Sequence, residues 1–139
     1  MHKYLSACAV VLATLFVTPA HAQTKPDETL RVLNNLHQEM ATCIAYYETL
    51  KRCLADNPKY KETSAGYGIA TEKLFEMSFE IGKQIGLSDD AAQSRLTMAA
   101  QDMMQLIENN CGNISSLLSR HSKRCLEVSN DPLKAVKLR

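Results

Sequence analysis

Cys43, Cys53, Cys111 and Cys125 carry the most definite chemistry in this chain. A thiol can ligate a metal, exchange electrons or cross-link, and spacing separates these uses. None of the four belongs to a Cys-x-x-Cys pair, so neither a zinc knuckle nor a thioredoxin-type dithiol is indicated. No Cys-x-x-Cys-His haem attachment occurs either. Well-separated cysteines of even number in a short exported chain read as a disulfide framework. The fifth cysteine, Cys8, follows Leu5-Ser6-Ala7 as in a lipoprotein cleavage site. It stands near the start of the apolar stretch that such a site should follow, so the match is read as chance.

Other reactive groups are few. His37-x-x-Met40 would put two soft ligands on one helix face, and Met77, Met98, Met103 and Met104 add sulfurs of the kind copper favours. Methionines at helical spacing more often fill cores, and His37 is expected near the helix edge, so no metal is assigned. Glu72, Glu76 and Glu80 repeat every fourth residue, with Lys73 and Lys83 nearby. Paired carboxylates can act as acid and base, but a solvated acidic stripe is the plainer reading. Phosphate-cradling glycine loops, Gly-x-Ser-x-Gly and His-Glu-x-x-His are absent. The chain is read as non-catalytic, with no cofactor.

Export decides how the cysteines are read. Residues 1–22 have the layout of a cleaved signal peptide: His2 and Lys3, the apolar run Leu5 to Val17, Pro19, then Ala20-His21-Ala22 before Gln23. The run is too short to span a membrane. After cleavage, 15 Lys and Arg remain against 15 Asp and Glu, since Lys3 is lost from 16. A neutral whole argues against nucleic-acid binding, whose phosphate contacts need a basic excess. A bacterial periplasm fits best, with secretion from a eukaryotic cell as the alternative. There, Asn113-Ile114-Ser115 would be a glycosylation acceptor; a helix cap is the simpler reading.

The elements that must position these groups are helical. Leu30, Leu33, Leu36, Met40, Cys43, Tyr47, Leu50 and Leu54 recur at steps of three and four, predicting a helix from Thr29 to Leu54. A second stripe runs from Tyr67 to Ile85, widened by Phe75 and Phe79, and Gly86 ends it. Ser88 caps a third helix through Leu106, and Asn113 caps a fourth that closes at Asn130-Asp131-Pro132. The predicted architecture is an all-α, four-helix antiparallel bundle over residues 23–132, followed by a basic flexible tail over 133–139.

Helical rise then ranks the cysteine pairings. Cys43 and Cys53 lie ten residues apart on one helix, roughly 15 Å along its axis, beyond the reach of a disulfide. In an up-down-up-down bundle Cys53 and Cys111 share a pole, while Cys43 and Cys125 both lie roughly 18 to 20 Å below it. The nested pairing, 43 with 125 and 53 with 111, matches these depths.

The whole reads as a small exported helical protein of the cell envelope that binds or supports a partner, an accessory factor with a stress-related or chaperone-like role. The alternative is a bundle that holds a metal or small ligand, or an enzyme without a recognisable motif. Candidate contacts with another envelope protein are Tyr46 and Tyr47, one of which should face outward, and the basic group Arg120, Lys123 and Arg124. Two outcomes would separate the readings. An exposed apolar patch over a closed core favours interaction, and a cavity at His37, His121 or paired carboxylates favours ligand storage or chemistry.

Overall fold

The computed structural model describes residues 26–137. The signal segment, Cys8, Leu138 and Arg139 lie outside the described residues. The described chain is helical, with no strand among its residues: α1 (Pro26–Leu54), α2 (Lys61–Gln84), α3 (Asp89–Leu106), α4 (Ser115–Asn130) and α5 (Pro132–Lys137). Short 3-10 turns at Pro58–Tyr60 and Cys111–Asn113 join α1 to α2 and α3 to α4.

Local chemistry sets the boundaries. Gly86 has φ 69°, and Leu87 N donates to Gly82 O across it at 2.9 Å, so α2 ends in a left-handed cap. The Ser88 hydroxyl accepts from Ala91 N, and Asp89 and Asp90 occupy the positive first turn of α3. Glu108 and Asn109 both take positive φ, and Asn109 N returns to Met104 O at 2.8 Å to end α3. Asn113, expected to cap α4, instead donates its side-chain amide to Ile107 O at 3.2 Å. The residue before α4 is Ile114, which makes no side-chain cap. Asn110 supplies the cap one turn earlier, accepting from Gly112 N.

α1 is the hub, packing against α2, α3, α4 and α5. Contacts with α2 step in opposite directions along the two helices: His37 lies by Gly82, and Lys51 O accepts from Ser64 Oγ at 3.0 Å. Because neighbours cover α1 on several sides, most residues from Leu36 to Leu50 are buried, Gln38 being exposed and Glu39, Thr42 and Glu48 partly so. This corrects the reading of Tyr46 and Tyr47, since neither faces outward. Tyr47 stacks on Tyr67 with centroids 5.7 Å apart, and its phenol oxygen accepts from Ser129 Oγ at 3.2 Å. Thr49 is buried in the same region and satisfies its hydroxyl on Ala45 O at 2.8 Å.

Two disulfides fasten this arrangement. Cys43 joins Cys125 with alpha carbons 5.2 Å apart, and Cys53 joins Cys111 at 5.3 Å. The first bridge ties α1 to α4, and the second ties the end of α1 to the turn that precedes α4.

The segment read as a flexible tail also needs correction. Pro132–Lys137 form α5, with Ala135 and Val136 buried in the core. The Asp131 side chain accepts from Lys134 N, and Arg124 Nη1 donates to Ala135 O at 2.9 Å. Two buried apolar residues and a charge-assisted bond from α4 hold a helix too short to stand alone.

Candidate functional site

His37 is buried on α1, facing both α2 and α3 and not at the helix edge expected of it. It packs directly on Gly82, where a Cβ would lie 3.4 Å from His37 Nε2, in ordinary van der Waals contact. Leu74, Ser78 and Gly82 form one row of α2, and the shrinking side chains make room for the imidazole. On the other side Arg95 of α3 places Nη1 3.2 Å from His37 Nδ1 and donates through Nη2 to Asn34 Oδ1 at 2.8 Å.

That contact fixes a tautomer. A guanidinium only donates, so Nδ1 must accept and the ring proton sits on Nε2. Burial, and then the positive charge of Arg95, push the His37 pKa below the usual histidine value. The neutral ring is thus the native form at pH 7. Its Nε2–H finds no hydrogen-bond acceptor among the described residues, and the buried Ser78 hydroxyl also lacks a partner there.

Both residues line a cavity of about 200 Å³, walled by Phe75 and Phe79 of α2 and by Ala92, Gln93 and Leu96 of α3, with Asp89 at its edge. Phe75, Gln93 and Leu96 also line a larger, more open depression of about 560 Å³ that continues past Ile44 and Ala45 to Met104. The two meet at Phe75, Gln93 and Leu96 as one trough along α3, walled by α2 at the smaller part and by α1 at the larger, where Glu48, Arg52 and Gln101 stand among the apolar residues. Small residues (Ala45, Ala92, Ala100) leave the space unfilled. Phe75 and Phe79, expected to widen a buried stripe, stand on the trough's edge at 51% and 49% exposure. The Lys83 ammonium lies 4.1 Å from the Phe79 ring centroid.

The other sequence candidates are dispersed. Arg124 is held by Glu39 at 3.1 Å, by Glu127 at 3.4 Å and by Ala135 O, so it is occupied inside the fold and does not face a partner. Arg120 and Lys123 are exposed. Arg120 and His121 border a polar depression with Asp102. Burial and then Arg120 lower the His121 pKa, opposed by Glu39. The Tyr46 ring centroid lies 6.0 Å from that of His121. Burial, then Tyr67 and Tyr47, push the Tyr46 phenol up to about 12.

The structure does not bring the imagined copper ligands together. His37 lines the α2–α3 trough, whereas Met40 and Met77 line a separate depression between α1, α2 and α5. Glu76 and Glu80 edge that second depression beside Asp131. Among the described residues no group of three or more His, Cys, Asp and Glu is arranged to hold a metal.

Ser78, Gly82 and Arg95 were not singled out from the sequence. The available signal was a row of small residues continuing from Leu74, which marks close approach of a neighbour. No protein family, curated protein or solved structure matches this chain.

Proposed function

We propose that this chain is an exported, disulfide-stapled helical binding protein of the cell envelope, non-catalytic, which carries a small apolar ligand between α2 and α3. The observation that carries this reading is the trough itself, where unpartnered His37 Nε2–H and Ser78 Oγ lie behind two half-exposed phenylalanines. A concave, mostly apolar lining with a few convergent polar groups is the usual make-up of a small-molecule site.

The wider architecture supports it. The contact order along α1 fits an antiparallel bundle of the four longer helices, with α2 and α4 running against α1. Residues 1–22 act as a cleaved leader to a bacterial periplasm, or to the outside of the cell, where both disulfides persist. Among the described residues no helix is long and apolar enough to cross a membrane. Arg120 and Lys123 are the members of the sequence-derived contact set left free to meet an acidic partner protein during delivery or uptake.

Native mass spectrometry of the oxidised protein recovered after export tests the proposal. A co-purifying small-molecule adduct, absent from a Leu96→Trp variant that fills the trough, is the expected result. Recovery of both proteins at their own sequence masses, with no adduct on either, would contradict it.

A further inference from the structure

The trough has two chemically different ends. At the narrower end, the His37 and Ser78 residues are at least nine-tenths buried, and the imidazole Nε2–H and the Ser78 hydroxyl lack protein partners among the described residues. Both groups open onto the cavity and are not sealed off like Arg124 Nη2, so an oxygen entering from outside can accept from them. The tautomer set by Arg95 makes the imidazole a donor there. Charges of both signs border this end, Asp89 on one side and Arg95 and Lys83 beside His37 and Phe79, so neither an anionic nor a cationic head group is matched by a single opposite charge. At the open end the surface passes over Leu96 to Met104. From Ala92 to Met104 the trough follows twelve residues of α3, about 18 Å.

We infer that the ligand is a neutral, single-chain amphiphile, resting on the reading of the trough as a binding site. Its carbonyl or hydroxyl oxygen accepts from His37 Nε2–H beside Ser78, and its apolar chain lies along Leu96 toward Met104. Phe75 and Phe79 close over the junction of head and chain, which accounts for two aromatic side chains standing half in solvent on one edge. Ordered water alone would satisfy the polar end but would leave the apolar end exposed.

Isothermal titration of the oxidised full chain recovered after export tests this, using three twelve-carbon probes below their micelle concentrations: 1-monolauroylglycerol, laurate and dodecyltrimethylammonium. The expected order is tightest for the neutral probe, by about tenfold over either ion. Ser78→Ala, nearly isosteric, should weaken the neutral probe about threefold to tenfold. Leu96→Trp should abolish binding, and Ile69→Asp, at a position exposed elsewhere on α2, should change nothing. Equal binding of all three probes with a silent Ser78→Ala overturns the head-group assignment. The trough reading then still stands if Leu96→Trp abolishes binding. If no probe binds, or if Leu96→Trp binds like the parent, the trough reading fails as well.

Discussion

His37 Nδ1 accepts from Arg95 Nη1 at 3.2 Å, and this bond joins α1 to α3 in a single protonation state. A proton on Nδ1 would replace the acceptor with a donor and set two cations side by side in a buried place. Burial and Arg95 therefore both lower the pKa, while Asp89 is the acidic group nearest the same cavity. The unfolded chain, with His37 near its ordinary value, binds the proton first as pH falls. Stability is unaffected by His37 above about pH 6.5 and declines below it until the native pKa is reached. His121 acts in the same direction. Urea unfolding at pH 7.5 and pH 5 should show a lower midpoint in acid, and His37→Gln should flatten the difference. An unchanged slope in that variant would remove His37 as its source.

The two disulfides should not be reduced together. Cys43 and Cys125 are fully buried, whereas Cys53 is half-buried and Cys111 is exposed. Thiolate attack requires access to a sulfur. Limited dithiothreitol followed by alkylation and peptide mapping should label Cys53 and Cys111 well before Cys43 and Cys125. Loss of either bridge should cost about 3 to 4 kcal/mol by loop-closure entropy. Earlier labelling of the 43–125 pair would contradict the burial pattern.

Arg124 should matter for α5 more than its place on a basic helix implies. It ties Glu39 of α1 to the Ala135 carbonyl, while its Nη2 is buried without a partner. Arg124→Ala should destabilise the protein by about 2 kcal/mol through the loss of charge-assisted bonds. Hydrogen exchange at Ala135 and Val136 should rise with it. A variant with parental exchange at those amides would show that α5 is held by its apolar contacts alone.

Two glycines should respond in opposite ways to alanine. Gly66 lies within α2, and a Cβ there meets nothing within 4 Å, so Gly66→Ala should stabilise by up to about 1 kcal/mol. Gly86 sits at φ +69°, so Gly86→Ala should destabilise by about 1 kcal/mol. Thermal melts of the two variants check the pair of signs.

Much of the helical frame is readable from local chemistry. Gly86 and Ser88 mark the α2–α3 junction in one-dimensional code, and helical rise alone brings Cys53 level with Cys111. What periodicity hides is how many neighbours a helix has. A stripe analysis gives α1 one buried face, whereas three other long helices and α5 cover it, so Tyr46 and Tyr47 are both enclosed. α5 was obscured for a different reason: six residues have negligible helical tendency alone, and Arg124 and Asp131 secure them through tertiary contacts. The trough has no signature in the sequence because it is made by what α2 and α3 fail to fill. Ser78 and Gly82 become meaningful only once His37 is seen opposite them.

The most direct measurement follows amide chemical shifts of the oxidised protein during titration with 1-monolauroylglycerol. Saturable shifts at Phe75, Ser78, Phe79, Leu96 and Met104, absent from Leu96→Trp, are expected if the chain carries its ligand between α2 and α3. Saturable shifts centred instead on Leu33, Met77 and Leu133, or none at all, would contradict the account.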